Sequence, residues 1–205
     1  MPGDAFIGAD AGTQYKVDYW ERSISSNTVE QQRIVIAESF MPTFVASNPV
    51  AISTATANSH LIQIMGSTIN RVYLRRIRVY QLANAGSATM AAFQLLRLSS
   101  AGTGGTSLNN GAYDPSDTNS TAAVMTLPSA KGSETTNLGL WTGDILSVAA
   151  TAGNDYVLDL DWRDTKSKCP VIAAGATTGL CLKLLTAVAS ATVQVTIEWS
   201  EAFWA

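Results

Sequence analysis

The feature that most constrains the fold is a strict alternation of apolar and polar residues near the end of the chain. In TVQVTIEWSE, residues 192–201, the apolar positions are Val193, Val195, Ile197 and Trp199. Successive side chains of a β-strand point to opposite faces, so these four residues share one face. Four large apolar residues on one side predict a strand placed centrally in a core. We therefore expect an all-β protein that contains this segment as its last core strand.

Six further segments fit the template of short strands separated by turn residues. They are 60–67, 71–83, 91–100, 144–150, 156–164 and 179–188. The stretches between them are rich in Gly, Asn, Ser and Asp, which supply turns. This spacing predicts an antiparallel sandwich or barrel of the jelly-roll type. We predict a jelly-roll-like antiparallel β-sandwich over residues 41–205, with at most one short helix.

Segment 71–82, RVYLRRIRVYQL, changes its apolar face part-way along. The apolar residues occupy even positions at Val72 and Leu74 and odd positions at Ile77 and Val79. A regular strand cannot make this change without turning its core face outward. The sequence therefore predicts a β-bulge or bend at Arg75 to Arg76.

Two other segments give more detailed expectations. In YVLDLDWRD the predicted core face is Tyr156, Leu158, Leu160 and Trp162, and the predicted polar face is Val157, Asp159, Asp161 and Arg163. We expect the charged residues of that polar face to form a solvated or intersubunit ion-pair surface. Residues 113–128 do not alternate, and a short helix is predicted from Thr121 to Met125, ending before Pro128.

Residues 1–40 are comparatively polar and acidic, with weak periodicity. Such a segment cannot bury enough of its own surface to fold alone, so we interpret it as an extended N-terminal arm, with a disordered leader as the alternative. Large aromatic residues are typical interface anchors, and they also occur in the last residues of the chain. The predicted protein-interface residues are Tyr15, Tyr19, Trp20, Ile34, Val35, Ile36, Phe203 and Trp204.

The composition favours burial in an assembly. Only 14% of the residues are charged while 46% are hydrophobic, and the formal net charge is -3. A net acidic chain offers no basic face for nucleic acid. The start MPGDAFIGAD does not resemble a signal peptide, and no apolar run reaches the ~18 residues of a membrane span. We expect no membrane partner, and we expect Cys169 and Cys181 to be reduced structural thiols.

The chemistry-bearing residues are few. His60 is the only histidine, and we interpret it as a turn or strand-edge residue rather than a catalytic base. Asp159 and Asp161 match no calcium-loop spacing, and the GTGGTS loop lacks the lysine of a phosphate loop. We expect no enzymatic activity, no cofactor, no metal and no small-molecule substrate.

One basic cluster stands out. It consists of Arg71, Arg75, Arg76 and Arg78, interleaved with Tyr73 and Tyr80. A solvated strand face is the favoured interpretation, a protein partner with acidic patches is the second, and a platform for single-stranded nucleic acid is the third.

Several strand segments carry a resemblance to a known family. They are Met41–Phe44, Asn58–Ile64, Leu74–Tyr80, Gln94–Ser99, Ala112–Asp117 and Val195–Glu201. Over about four fifths of its length the chain resembles small virion proteins of tailed bacteriophages, of the capsid decoration or cement type. The resemblance implies a β-rich protein, made in the host cytoplasm, that binds the outer surface of the capsid and bridges neighbouring major capsid protein subunits. We expect a homotrimer, with a homodimer as the alternative.

Two other functions remain open. A head- or tail-fibre module that contacts the host surface would share the β-rich character, and should present a sugar-binding cleft with aromatic and acidic residues. A carbohydrate-binding or TNF-like module ranks third.

Overall fold

The structure is a computed structural model, and it describes two separate units. The backbone is described for residues 5–8, 14–24, 27–33, 41–83, 85, 87–145, 156–163, 168–175 and 177–202, and side chains from residue 41 onward. The contacts divide the chain between Phe40 and Met41.

The first unit contains a three-stranded antiparallel sheet. Its strands are β1 (Ala5–Gly8), β2 (Gln14–Ile24) and β3 (Asn27–Arg33), with β2 in the centre. Tyr15, Tyr19 and Trp20 lie in β2. For these residues the structure describes only the backbone. Residues 34–36, the predicted Ile-Val-Ile anchor, also lie outside the described residues. That this unit serves as a docking arm stays a prediction.

The described residues of the second unit form thirteen strands. They are β4 (Thr43–Ser47), β5 (Ile52–Ser53), β6 (Ser59–Met65), β7 (Arg71–Ala83), β8 (Thr89–Leu98), β9 (Thr106–Leu108), β10 (Gly111–Ala112), β11 (Ala123–Thr126), β12 (Glu134–Ile145), β13 (Tyr156–Asp161), β14 (Val171–Ile172), β15 (Gly179–Leu184) and β16 (Thr192–Ala202). The predicted all-β class is confirmed. Within the described residues there is no helix, and hence none long and apolar enough to cross a membrane.

These strands form two antiparallel sheets in a sandwich-like arrangement. The front sheet has the order β10-β4-β16-β7-β13, with β5 beside β16 and β14 beside β7. The back sheet has the order β12-β8-β15-β6-β11-β9. The chain passes repeatedly from one sheet to the other, because β6, β8 and β15 are in the back sheet while β7 and β16 are in the front sheet.

The core lies between the two sheets, and β16 is central to it. The four alternating residues Val193, Val195, Ile197 and Trp199 are all at most 1% exposed, as predicted. The Trp199 ring stacks on Phe44 of β4, with the ring centroids 5.8 Å apart. Each fully buried large side chain contributes on the order of 1.5–3 kcal/mol to folding.

The predicted bulge in β7 is confirmed. Glu198 of β16 pairs with Arg76 while Trp199 pairs with Leu74, so Arg75 is an extra residue without a partner in the register. The extra residue returns the apolar side chains after Arg76 to the core face. Both Leu74 and Ile77 are therefore buried.

The predicted face of β13 is correct only in its centre. Leu158 and Leu160 are buried, but Tyr156 is 44% exposed and Val157 is buried instead. The reason is a register shift between Tyr156 and Leu158 in the pairing with β7. The shift places Tyr156 on the outer face and Val157 on the core face. Trp162 follows the strand and packs half-buried against the core.

The predicted helix from Thr121 to Met125 is wrong. Residues 123–126 form β11, which pairs with β6 on one side and β9 on the other. Pairing on both sides satisfies the backbone hydrogen bonds of this short apolar segment, for which local periodicity does not separate strand from helix. The strand predicted at 144–150 corresponds to the end of β12, and its remainder lies outside the described residues.

Candidate functional site

The outer surface of the front sheet combines tyrosines with paired charges. All four tyrosines of residues 41–205 lie there, and we name the surface the tyrosine–arginine face. It comprises Tyr73, Arg75, Arg76, Arg78, Tyr80, Tyr113, Tyr156, Asp159, Asp161, Arg163 and Glu198.

The alternation of the strands places these side chains together. In β7, Ile77 and Val79 point into the core, so Arg76, Arg78 and Tyr80 point outward. Tyr113 follows β10 and donates its backbone N–H to Thr43 of β4, which brings it to the same surface.

An aromatic pair occupies one end of the face. The rings of Tyr80 and Tyr156, which are cross-strand neighbours, have centroids 4.8 Å apart. The Arg78 guanidinium lies 5.7 Å from the centroid of the Tyr80 ring, a cation–π distance. Burial, and then the hydrogen bond with Tyr156, raise the pKa of Tyr80. Its hydroxyl therefore stays neutral at physiological pH.

Ion pairs between β7 and β13 cover the middle of the face. Arg76 Nε donates to Asp159 Oδ1 at 2.8 Å, and this hydrogen bond raises the pKa of Arg76. Arg163 Nε donates to Asp161 Oδ1 at 3.0 Å, and the hydrogen bond with Arg163 lowers the pKa of Asp161 to about 2. The ion pairs predicted for this strand are present, and the Asp161 carboxylate stays charged at neutral pH.

Glu198 of β16 lies beneath this network. The residue is 4% exposed. Its Oε1 accepts a hydrogen bond from Arg78 Nη2 at 2.6 Å, and its Oε2 lies 3.7 Å from Arg163 Nη1. Burial, followed by the charge of Glu198, raises the pKa of Tyr113. The alternation of β16 puts Glu198 on the polar face, but no local sequence signal marks it as a partner of Arg78 and Arg163.

Hydroxyl groups complete the polar surface. Ser47 Oγ lies 2.8 Å from Thr196 Oγ1, and Ser200 Oγ accepts from Arg75 Nε at 3.0 Å. Side chains held by such hydrogen bonds lose little further freedom on binding, which lowers the entropic cost of docking. The face is thus preorganised to contact another surface.

The pairing of the arginines with carboxylates bears on the interpretations of the arginine cluster. Arg76 and Arg78 are engaged with Asp159 and Glu198, so much of their positive charge is locally compensated. This counts against the nucleic-acid platform, which requires an uncompensated basic groove. Tyr and Arg side chains at a desolvated surface are instead typical of protein-binding hot spots.

His60 is the second residue of β6, so its predicted place at the end of a strand is confirmed. It pairs with Lys183 of β15, and its side chain has no exposed surface. Its Nε2 donates to Glu134 Oε1 at 2.9 Å, and Lys183 Nζ donates to Glu134 Oε2 at 2.9 Å. We name these three residues the carboxylate bridge.

Burial and hydrogen bonding act in opposite directions on the pKa values of His60 and Glu134. Burial lowers the pKa of His60, although its hydrogen bond with Glu134 works in the opposite direction. Burial works to raise the pKa of Glu134, but the hydrogen bonds from Lys183 and His60 lower it overall. His60 is thus a neutral imidazole at neutral pH, and its side chain has no exposed surface.

Cys181 lies in a small apolar cluster separate from the main core. It packs with Met65, Leu96 and Leu98. Burial raises the pKa of its thiol to about 12, which suppresses the reactive thiolate form. Cys181 is a buried free thiol. Within the described residues, no three His, Cys, Asp and Glu side chains are grouped as a metal ion requires.

The remaining predicted interface residues, Phe203 and Trp204, lie outside the described residues. Because the first unit is described only as backbone, none of the eight predicted interface residues has a described side chain. A search of protein-family models, curated proteins and solved structures found no match to this chain.

Proposed function

We propose that this is a structural virion protein that binds the outside of a phage capsid and stabilises the shell by bridging neighbouring major capsid protein subunits. The observation that carries the proposal is the tyrosine–arginine face. It is a preorganised surface of the composition that dominates protein-binding hot spots. Such a protein acts through burial of surface, without catalytic turnover, cofactor or small-molecule substrate.

The strand order supports a jelly-roll fold, the more specific form of the sandwich. The eight strands that carry this argument are, in chain order, β4, β6, β7, β8, β12, β13, β15 and β16. The front sheet then has the order first, eighth, third, sixth, and the back sheet fifth, fourth, seventh, second. A two-stranded ribbon rolled into a double Greek key gives this order.

The mechanism of stabilisation is mass action. A site composed of two neighbouring capsid subunits exists only in the assembled shell, so binding favours assembly over free capsomers. Specific interfaces bury about 1,200–2,000 Å². Assembly into a homotrimer, or a homodimer as the alternative, would multiply the contacts that one particle makes with the shell.

Alanine variants of the exposed tyrosines test this role. Tyr113 is 59% and Tyr156 is 44% exposed, so truncation of either side chain leaves the core intact. Each variant is expected to lower the affinity for purified shells at least tenfold, because a hot-spot residue contributes more than about 1.4 kcal/mol. Leu127→Ala, which removes a 38% exposed apolar side chain next to β11 of the back sheet, is the matched control. Equal affinity of all three variants and wild type would contradict the proposal.

A head- or tail-fibre module is the second candidate. The Tyr80–Tyr156 pair, in which Tyr156 is 44% exposed, and Asp159 on the same strand as Tyr156 favour it, because sugar-binding surfaces combine aromatic rings with acidic groups. Binding to host-surface glycans that Tyr156→Ala abolishes, together with an absence of binding to shells, would replace the first proposal. An electron-microscopic image of a particle separates a position on the head from one on the tail.

The predicted arm and terminal residues have their own tests. Deletion of residues 1–40 should reduce occupancy on shells if the first unit anchors the protein. Loss of Phe203 and Trp204 should weaken oligomerisation or shell binding while the fold is retained, because an aromatic side chain buried in an interface contributes on the order of 1.5–3 kcal/mol. Unchanged binding would remove the corresponding residues from the interface.

A further inference from the structure

Two tyrosine rings are in direct contact on the outer surface of the front sheet. Tyr80 of β7 and Tyr156 of β13 are paired across the two strands. Their ring centroids lie 4.8 Å apart, with an angle of 42° between the rings. This separation is close to the shortest that aromatic pairs adopt in proteins, about 4.5 Å. Among the side chains that the structure describes, no other tyrosine ring packs against a second one.

The hydroxyl ends of the two side chains are directed towards each other. They share a hydrogen bond, so the ortho carbons, which adjoin the hydroxyl-bearing carbons, are also near one another. The ortho carbons are the positions at which two phenoxyl radicals couple. Groups held in contact within one molecule react at an effective concentration far above that of a protein in solution. The arrangement therefore favours coupling within one chain over coupling between two chains.

One ring of the pair is more accessible than the other. Tyr156 is 44% exposed, whereas Tyr80 is half-buried and has the Arg78 guanidinium 5.7 Å from its ring centroid. Tyr156 is thus the ring that a large oxidising enzyme can reach. Because the two rings are in contact, a radical formed on Tyr156 can take a hydrogen atom from Tyr80, and a second oxidation of Tyr156 then places a radical on each ring.

We propose that Tyr80 and Tyr156 are an oxidative modification site, at which a haem peroxidase and hydrogen peroxide join the two side chains as dityrosine. Each phenol gives up the hydrogen atom of its hydroxyl group, and hydrogen peroxide is reduced to two molecules of water. A carbon–carbon bond forms between the two ortho carbons. The hydrogens on those carbons then move to the oxygens, which restores both hydroxyl groups. The cross-linked chain has two hydrogen atoms fewer than the original chain.

The cross-link would fasten one edge of the front sheet. Of the described strands, only β7 pairs with β13. A covalent bond between residues that are far apart in the sequence restricts the unfolded chain, as a disulfide does. We expect the cross-linked protein to unfold at a higher temperature than the untreated protein. The proposal is independent of the capsid role, since it concerns a modification of the chain itself.

Treatment of the full chain with a haem peroxidase and hydrogen peroxide tests the site. Dityrosine fluorescence should appear in the band of the single chain, 21.7 kDa, on a denaturing gel. Mass spectrometry of a tryptic digest should show peptide 79–97 joined to peptide 132–163. Tyr80→Phe and Tyr156→Phe keep the rings but cannot form the phenoxyl radical, so each should lose the joined peptides. Tyr113→Phe, which removes the hydroxyl of a 59% exposed ring, is the matched control and should keep them.

The wild-type digest decides the outcome without relying on the folding of a variant. Because the coupling is intramolecular, the yield per chain should not change when the protein is diluted. Absence of the joined peptides, a cross-link at other tyrosines instead, or a yield that falls on dilution would overturn the proposal. An unchanged unfolding temperature of the cross-linked chain would contradict the fastening of β13.

Discussion

Removal of the carboxylate bridge should destabilise the sandwich measurably. In Glu134→Ala the buried His60 ring loses its partner at Nε2, and Nδ1 already has none among the described residues. A buried polar group left without a partner costs about 1–3 kcal/mol. Loss of the ion pair with the more exposed Lys183 adds at most about 1 kcal/mol. We expect the free energy of unfolding to fall by about 2–3 kcal/mol, and Tm by about 5–10 °C.

Urea denaturation followed by tryptophan fluorescence measures this loss. The matched control is Lys131→Ala, because the Lys131 side chain is 44% exposed and its Nζ is 3.9 Å from Glu134 Oε1. A surface pair of this kind contributes at most about 0.5–1 kcal/mol. If Glu134→Ala unfolds within about 0.5 kcal/mol of the wild type, the bridge does not stabilise the fold and the reasoning fails.

The same bridge predicts a dependence of stability on pH. Because burial lowers the pKa of His60 in the folded state below the ordinary 6.5, the unfolded chain takes up the proton first on acidification. The stabilisation is complete above pH 6.5 and is lost as the pH falls through the folded-state pKa, with a slope of at most about 1.4 kcal/mol per pH unit. His60 is the only histidine, so His60→Gln should abolish this slope. An imidazole pKa above 6.5, measured by NMR, would refute the assignment.

Three further changes test the core, the bulge and the buried thiol. Phe93→Ala, at a position that is 0% exposed, should lower the free energy of unfolding by about 3–5 kcal/mol in urea; a loss below about 1 kcal/mol would mean that the ring is not in the core. Deletion of Arg75 would leave Leu74 and Ile77 two positions apart, on the same face of a regular strand, so the cooperative thermal transition should be retained, whereas its loss would show that the bulge itself is required. Cys181 should be alkylated only after unfolding, because burial raises its pKa to about 12; rapid alkylation of the native protein, mapped by mass spectrometry, would contradict its burial.

The sequence predicts the strands well because strand alternation is a local property. The four apolar residues of β16 each occupy every second position, and their burial follows directly from this pattern. The bulge at Arg75 was equally predictable, because the apolar residues of this strand switch from even to odd positions. Such a switch requires an extra residue or a bend in the strand. Both inferences require only the geometry of one strand.

Features that depend on a neighbouring strand were not predictable. The register shift that exposes Tyr156 arises from its pairing with β7, and residues 123–126 became a strand because β6 and β9 flank them. The burial of His60 was not predictable for the same reason, because its hydrogen-bond partner Glu134 is 74 residues away in the sequence. The tyrosine–arginine face was recognisable only in part, as separate arginine and aspartate clusters whose contact required the strand order.

The central position of β16 has a consequence for the synthesis of the protein. β16 lies between β4 and β7, although the ribosome makes it after both of them. A nascent chain that ends before residue 192 leaves the facing edges of those strands unpaired and Phe44 without Trp199. The front sheet can therefore close only after β16 has been made, and slowly, because its pairings join distant parts of the chain. Chains that end before β16 would expose the unpaired edges of β4 and β7 to chaperones and proteases. A complete front sheet therefore requires a complete β16.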